Sequence, residues 1–290
     1  MTTTLCGWIG WDFPSTENLK ATNRQLAKSL SRPEQPPDGR SALIHYHGGP
    51  ITPQEAGTLI YKGRHAMVSF AHPNDLPVIA HVCQSFALDN GAFSFWRAGK
   101  PVDWSGYYQW VETWMRHPGF DWAVIPDVID GGEEQNDELL AEWPFLETGV
   151  PVWHLHESLE RLERMVMSWP RIALGSSGRW ADPKSTSWWS RIAEAMAIVC
   201  DEDGRPRARL HGLRMLDKSI FTKIPLSSCD STNVARNVNL DKRWSGPYQP
   251  ATSKMRGLVL AERIEAHQSC AVWTGAGIQP DLYYFVEITR

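Results

Sequence analysis

Residues 85–94 read Ser-Phe-Ala-Leu-Asp-Asn-Gly-Ala-Phe-Ser, and this stretch says most about the fold. A short apolar run ends at the acidic Asp89, and an Asn-Gly pair follows at once. Because Asn-Gly favours a sharp turn, the pattern predicts a buried strand with a carboxylate at its C-terminal tip.

The same pattern, an apolar run that ends in polar residues, recurs along the chain. Its further copies are Ile125-Pro126-Asp127, Val152-Trp153-His154-Leu155-His156, Ala173-Leu174-Gly175-Ser176-Ser177-Gly178, His211-Gly212-Leu213 and Leu226-Ser227-Ser228-Cys229-Asp230-Ser231-Thr232. Polar groups at the ends of successive strands are typical of an α/β barrel, which builds its active site there.

Strand and helix patterns alternate over most of the chain. The predicted strands are 42–46, 66–71, 85–89, 122–126, 150–155, 171–175, 208–213 and 224–228. The predicted helices are 105–117, 133–143, 159–169 and 187–200, with a helix after 245 and an extended piece at 283–288. No dinucleotide-binding fingerprint or internal repeat is present. We therefore expect one (β/α)8 TIM-barrel domain over 41–290, after an N-terminal lead-in over 1–40. A doubly wound sheet shares the alternation, but it gathers fewer strand ends at one site.

Composition excludes several classes of protein. The 290 residues are 42% hydrophobic and 21% charged, as in an ordinary soluble domain. No apolar run approaches the roughly 20 residues of a membrane span, and the start of the chain lacks a signal-peptide pattern. The five cysteines are scattered and form no C-x-x-C pair. They fit reduced thiols, so we expect a cytoplasmic protein with no membrane contact.

Charge is distributed unevenly, although the net charge of −4 gives no global case for nucleic-acid binding. Residues 101–163 contain fourteen acidic and two basic side chains, whereas residues 201–256 contain eleven basic and six acidic ones. The basic segment would suit a surface that faces phosphates. A solvated face that pairs with the acidic half explains it equally well.

Three carboxylates at strand ends, Asp89, Asp127 and Asp230, are the strongest candidates for chemistry. Carboxylates can attack an anomeric carbon, act as general acid or base, or accept hydrogen bonds from a purine. Each could instead cap a helix or order a turn. Three together at neighbouring barrel positions favour a site.

Histidines and small residues supply the other candidates. His154 and His156 lie two apart on a predicted strand, so they face the same way and suit the lining of a pocket. No third ligand has the right spacing, so we expect neither a metal site nor a cofactor. The small residues of Gly175-Ser176-Ser177-Gly178 suit a phosphate or a purine carbonyl oxygen.

Taken in order, these motifs resemble the tRNA-guanine transglycosylase superfamily. The closer likeness is to its short branch from phages and genomic islands, which is linked to 7-deazaguanine modification of DNA. The likeness covers most of residues 42–240. It implies a (β/α)8 barrel that exchanges a guanine in a polynucleotide for a free 7-deazaguanine base without breaking the strand.

The resemblance also implies roles for individual residues. Asp230 would be the nucleophile that attacks C1′, and Asp89 the acid/base group that handles the departing and arriving bases. Asp127 would bind the N1 and amino edge of the purine. The remaining substrate-binding candidates are Phe93, His154, His156, Gly175, Ser176, His211 and Arg236.

Two departures from the family bear on the substrate. The C-x-C-x-x-C…His zinc subdomain of the tRNA enzymes is missing, since only Cys270 follows Asn237. Asn90 replaces the serine that usually follows the first aspartate. We therefore expect a DNA guanine transglycosylase rather than a tRNA enzyme. An N-glycosidase of small nucleosides or nucleotides and a non-catalytic nucleic-acid-binding barrel remain alternatives. The sequence leaves open whether the chain forms a homodimer or needs an accessory protein.

Overall fold

The computed structural model describes residues 42–145, 148–239 and 250–275. Within these ranges the strands are β1 Ile44–Gly48, β2 His65–Ser69, β3 Ser85–Asp89, β4 Phe120–Val124, β5 Gly149–Val150, β6 Val152–His154, β7 Arg171–Gly175, β8 Arg209–Gly212 and β9 Ser228–Ser231. The helices are α1 Gln54–Tyr61, α2 Leu76–Val82, α3 Ala92–Arg97, α4 Trp104–Trp114, α5 Glu133–Glu142, α6 Leu159–Ser168, α7 Thr186–Val199, α8 Lys218–Phe221, α9 Asn233–Asn237 and α10 Ser253–Glu265. Short 3-10 helices occupy Pro73–Asp75 and Gly178–Trp180.

All the strands run parallel in the order β5-β4-β3-β2-β1-β9-β8-β7-β6. The two ends of this order, β5 and β6, are parts of one extended segment that Pro151 interrupts. Val150 O accepts from Ile125 N at 3.0 Å on one side, and Pro151 O accepts from Ala173 N at 2.8 Å on the other. This segment closes the sheet, so the fold is the predicted single-domain (β/α)8 barrel.

Two apolar cores fill the barrel and its surroundings. The smaller core lies inside the strands and consists of Tyr46, Met67, Ala87, Trp122, Val124, Val150, Val152 and Ala173. The larger core lies between the strands and the helices. Burial of α6 follows its sequence, because Leu162, Met165 and Val166 recur at helical spacing and are buried. Ser158 caps this helix by accepting from Arg161 N.

Most predicted elements are confirmed to within a few residues, and β3 and β7 match at both ends. The last strand is a correction, because it spans Ser228–Ser231 rather than 224–228. Pro225 lies in a tight turn there, in which Leu226 N donates to Ile224 O at 2.8 Å. The side chains of Ile224 and Leu226 in this turn are both buried. A sequence pattern cannot distinguish a buried apolar turn of this kind from a buried strand.

Five short helices have no counterpart in the prediction, namely α1, α2, α3, α8 and α9. They are four to eight residues long. Such short helices are stabilised by packing against the barrel, and they are too short for a clear apolar periodicity in the sequence. The predicted lead-in over 1–40 and the extended piece at 283–288 lie outside the described residues. None of the helices described here is both long and apolar enough to cross a membrane.

A matched pair of methionines on α6 tests the packing. Met165 is 3% exposed, and Met167, two residues further, is 68% exposed. We expect Met165→Ala to lower the free energy of unfolding by about 2–5 kcal/mol, because it leaves a cavity. Met167→Ala should change it by less than about 0.5 kcal/mol. Urea denaturation measures both values, and equal losses would contradict this placement of α6.

Candidate active site

The polar residues of the predicted site extend the inward-facing layer of the barrel. Side chains two apart on a strand face the same side, so each residue two positions beyond an interior apolar residue also faces inward. These positions lie at the C-terminal end of the barrel. They include Ser69, Asp89, His154 and Gly175, two residues beyond Met67, Ala87, Val152 and Ala173.

The turn after β3 fixes the position of Asp89. Gly91 has a φ of +76°, and a Cβ there would lie 2.9 Å from the backbone nitrogen of Ala71. A side chain is therefore excluded both by backbone conformation and by space. The Gly91 N–H donates to Asp89 Oδ2 at 3.2 Å, and α3 begins with the next residue. The Asn-Gly pair thus holds the carboxylate at the barrel mouth, as the sequence predicts.

Burial raises the pKa of Asp89 to about 7. The negative charges of Asp230 and Asp127 raise it further, whereas hydrogen bonds from the Ser69 hydroxyl and the Gly91 N–H oppose the shift. Each of the three carboxylates lies at or just after the C-terminal end of its strand, β3, β4 or β9. A carboxyl group with a pKa near neutrality can give up and take back a proton under physiological conditions.

Asp127 is buried and is held by two donors. Asn90 Nδ2 donates to its Oδ1 at 2.6 Å and also to Ile125 O at 2.9 Å. The Asn90 Oδ1 in turn accepts from Ala92 N at 2.9 Å. His154 Nε2 lies 2.8 Å from Asp127 Oδ2. Burial alone would lower the pKa of His154, but the hydrogen bond and the charge of Asp127 outweigh it and raise the pKa.

A buried ion pair supports the loop that carries Asp127. Glu157 and Arg161 are both buried and meet at 2.7 Å. Asn136 Nδ2 donates to Glu157 Oε1 at 2.8 Å, and Asn136 Oδ1 accepts from the N–H of Val128 at 2.7 Å. Because Val128 follows Asp127 directly, this network ties the loop after β4 to the end of β6. Buried charges need such complete partnering to be tolerated.

Asp230 lies above a buried histidine. Arg214 N donates to Asp230 Oδ1 at 2.9 Å, and His211 Nε2 lies 3.4 Å from the same oxygen. His211 is completely buried, and its Nδ1 contacts Ser228 Oγ at 2.8 Å. In this structure the His211 side chain has no exposed surface and lies beside Asp230, and its role as a substrate ligand stays a prediction.

The loop after β7 forms another side of the site. A Cβ on Gly175 would lie 3.1 Å from His154 Nδ1, so the glycine leaves room for the histidine ring. Ser177 Oγ donates to Ile129 O at 3.3 Å and connects this loop to the one after β4. Ser176 is partly exposed at the mouth. The exposed His156 stacks on His154, with ring centroids 5.5 Å apart, and its Nε2 lies 3.2 Å from a backbone carbonyl oxygen.

An aromatic and basic rim borders Asp230. The guanidinium carbon of Arg214 lies 4.4 Å from the ring centroid of Phe93. Burial lowers the pKa of Arg214; Asp230 opposes this shift, and the nearby positive charges of Arg236 and Arg97 add to it. We call Phe93, Arg97, Arg214 and Arg236 the basic rim. Within the described ranges its three guanidinium groups form no salt bridge.

Sequence reasoning missed three contributors to the site. Asn90, which holds Asp127, was noted only as a turn residue and a departure from the family. Ser69 ends β2 just as Asp89 ends β3, and the two are register partners. Arg214 has a left-handed backbone with φ 61°, a conformation that no sequence pattern here predicts. The available signal is its position directly after the predicted strand 208–213.

Some polar residues of β1 and β9 alternate with the inward-facing ones and so face away from the site. His47 Nε2 lies 2.8 Å from Glu265 in α10, and His45 Nε2 lies 2.9 Å from the backbone oxygen of His267. These contacts are structural. Cys229 is buried in the outer core, and burial raises the pKa of its thiol well above its usual range. It is therefore unsuited to act as a nucleophile.

Comparison with known proteins gives weak likenesses. No protein-family model matches the chain, and no curated protein shows significant similarity to it. A candidate fructose-1,6-biphosphate aldolase from Coccidioides immitis matches with a TM-score of 0.45 and 13% identity, over 87% of this chain and 93% of that chain. The α-subunit of tryptophan synthase from Pyrococcus furiosus matches with a TM-score of 0.45 and 11% identity, over 78% and 97%. Function in such barrels depends on the side chains at the strand ends rather than on the fold.

The raised pKa of Asp89 makes the stability of the fold depend on pH. A carboxyl group whose pKa rises from 3.8 to about 7 on folding stabilises the protein fully below pH 3.8. That contribution is lost as the pH rises through about 7. Because asparagine does not titrate, we expect Asp89→Asn to raise the melting temperature at pH 8 more than at pH 5. The gain is at most on the order of 4 kcal/mol.

Asp217 provides a control of opposite sign. Burial would raise its pKa, but hydrogen bonds from Lys184 and Ser219 outweigh burial and lower it. Asp217→Asn should therefore reduce the melting temperature at pH 8. Calorimetry of both variants at pH 5 and pH 8 makes the comparison. If the Asp89→Asn variant were less stable than the unmodified chain at pH 8, the raised pKa of Asp89 would be contradicted.

Proposed function

We propose that this chain is a base-exchange transglycosylase that replaces guanine in DNA with a 7-deazaguanine base. The observation that carries the proposal is the unequal environment of two carboxylates at one barrel mouth. The pKa of Asp89 is raised to about 7, while Asp230 Oδ1 accepts a hydrogen bond from the Arg214 N–H. One group is thus suited to carry a proton and the other to attack carbon, the division of labour of retaining glycosidases.

The proposed reaction has two balanced halves. Asp230 attacks C1′ of the target nucleotide, the C1′–N9 bond breaks, and its electron pair moves to the departing guanine. Asp89 supplies the proton that neutralises this base. The incoming 7-deazaguanine then gives its N9 proton to Asp89, and its nitrogen displaces Asp230 from C1′. The sugar–phosphate strand stays intact, and no redox partner is needed.

The buried group around Asp127 suits recognition of the purine edge. Asn90 and His154 each occupy one carboxylate oxygen, and each oxygen has a second lone pair for a further donor. Asp127 can therefore accept from the N1–H and the amino group of a guanine-type base. His156, Gly175 and Ser176 border the same space and complete the proposed base pocket.

The basic rim favours a polynucleotide over a free base or nucleoside. A base inside a duplex must be flipped out before its C1′ can reach Asp230, and the flanking phosphates then lie around the mouth. Phe93 offers a stacking surface, and the guanidinium groups of Arg97, Arg214 and Arg236 lack carboxylate partners among the described residues. Arg97 and Arg236 are exposed and can meet phosphates.

Removal of the nucleophile gives the most direct test. We expect the unmodified chain to exchange labelled guanine into a guanine-containing DNA oligonucleotide, and to form a covalent adduct that intact-mass spectrometry detects. Asp230→Asn should abolish the adduct, and Asp89→Asn should slow its formation by about 10²-fold or more. Asp203→Asn, which changes an exposed carboxylate, is the control and should leave the rate unchanged.

Three outcomes would overturn the proposal. Abasic sites without base exchange would indicate hydrolysis by an N-glycosidase. Exchange with free nucleosides but not with DNA would exclude a polynucleotide substrate. An adduct rate that is unaffected by both aspartate substitutions would exclude Asp230 as the nucleophile and Asp89 as the proton carrier.

Salt dependence tests the basic rim separately. Each phosphate contact that is lost should reduce the slope of log binding constant against log salt by about 0.7 on single-stranded DNA and about 0.9 on duplex DNA. We expect Arg97→Gln and Arg236→Gln each to reduce the slope by this amount. Arg116→Gln, which alters an exposed arginine paired with Glu112 on α4, should not. Equal slopes in all variants would contradict a phosphate-binding rim.

A further inference from the structure

We propose that Ser228 and His211 form a positioning relay beneath Asp230. The relay holds Oδ1 of the carboxylate, so that Oδ2 is the oxygen that attacks carbon. The inference rests on the proposed function only for the role of Asp230. The hydrogen-bond arrangement itself is independent of any substrate.

The register of two neighbouring strands creates the relay. His211 on β8 is the direct partner of Ser228 on β9. Ser228 precedes Asp230 by two residues, so both side chains face the same side of their strand. The Nδ1 of His211 lies 2.8 Å from Ser228 Oγ, and its Nε2 lies 3.4 Å from Asp230 Oδ1. His211 is 0% exposed and Ser228 is 2% exposed, so water cannot replace either partner.

His211 is a neutral imidazole in this setting. Burial lowers its pKa; the Asp230 carboxylate beside it opposes this, and the charge of Arg171 adds to the lowering. The ring of Trp122 packs against it with centroids 4.7 Å apart, and that of Tyr46 at 5.9 Å. A neutral histidine has one N–H and one acceptor nitrogen, so the tautomer decides what faces Asp230.

The position of Asp230 selects the tautomer. If the proton were on Nδ1, the lone pair of Nε2 would face a carboxylate oxygen at 3.4 Å, which is repulsive. With the proton on Nε2, His211 donates toward Asp230, and Nδ1 accepts from the Ser228 hydroxyl. The serine hydroxyl can act as donor here, which makes the second arrangement the favourable one.

The consequence for Asp230 is an asymmetric carboxylate. Oδ1 accepts a hydrogen bond from the Arg214 N–H at 2.9 Å, and His211 Nε2 lies 3.4 Å from the same oxygen. No described residue donates a hydrogen bond to Oδ2. Lone pairs that are not engaged in hydrogen bonds are the more nucleophilic ones, and a fixed carboxylate plane aims them at one place. Such alignment is worth a large part of a catalytic barrier, and small misplacements cost about 10²-fold in rate.

Nitrogen chemical shifts of histidine give a readout that needs no substrate. In protein labelled with 15N at histidine, we expect His211 at neutral pH to show a protonated Nε2 and an unprotonated Nδ1. Ser228→Ala should shift the Nδ1 resonance, because it removes the donor. Ser227→Ala is the matched control, since the neighbouring Ser227 hydroxyl instead donates to Leu210 O at 2.9 Å. A proton on Nδ1, or equal spectra for both serine variants, would overturn the relay.

Adduct formation gives the second readout. We expect Ser228→Ala and His211→Leu to lower the single-turnover rate of adduct formation by about 10-fold to 10²-fold, with little change in oligonucleotide affinity. His211→Gln, whose side-chain amide can place an N–H near the same oxygen, should recover most of the rate. Failure of the glutamine variant to exceed the leucine variant, when both fold, would contradict the relay. If the unmodified chain forms no adduct, the proposed function fails, and the nitrogen spectra still decide the relay.

Discussion

The segment from Gly149 to His154 is the constraint on which the rest of the structure depends. Its first part pairs with β4 and its last part with β7, and Pro151 contributes only an acceptor between them. Proline lacks an N–H, so it would weaken an ordinary central strand. Here the flanking carbonyl groups bond to opposite neighbours, and the barrel closes. Closure brings Asp127, after β4, and His154, at the end of β6, within hydrogen-bonding distance.

Several carboxylates inside the mouth are held by hydrogen-bond networks at some cost to stability. Asp127 is satisfied by Asn90 and His154, and Glu157 is satisfied by Arg161 and Asn136. Asp89 differs, because its pKa is raised by burial and by two neighbouring carboxylates. A site of this kind stores unfavourable electrostatic energy, which the apolar cores of the barrel must offset.

The sequence predicts the barrel well, because alternating apolar runs with polar ends are a direct result of parallel strands buried on both faces. It also predicts the three carboxylates, since each follows or ends such a run. The sequence predicts strand boundaries poorly where apolar residues are buried in a turn and not in a regular strand. The turn at Pro225 buries Ile224 and Leu226 as fully as a strand would. The apolar pattern therefore places the predicted strand before Asp230, whereas β9 contains it.

Partners within the site are harder to predict than the site itself. Asn90 reaches Asp127 across 37 positions, and His211 meets Ser228 across 17. These pairings depend on the register between strands, which one sequence without its pairing does not reveal. For the same reason the sequence does not reveal that His211 lies beside Ser228 and Asp230. A residue type indicates the available chemistry, and only the register indicates the partner.

The pairing of β1 with β9 also affects how the protein can be made. The first and last strands of the barrel are neighbours, with Tyr46 opposite Asp230. Among the described strands only β9 pairs with this edge of β1, so during synthesis the two cannot pair until β9 has left the ribosome. Contacts between such distant parts of a chain form slowly and leave strand edges exposed to association in the meantime. A shortened chain that ends before Asp230 would still contain Asp89 and Asp127, but the edge of β1 would have no partner strand. Such a chain would behave as an aggregation-prone folding intermediate and not as a smaller barrel.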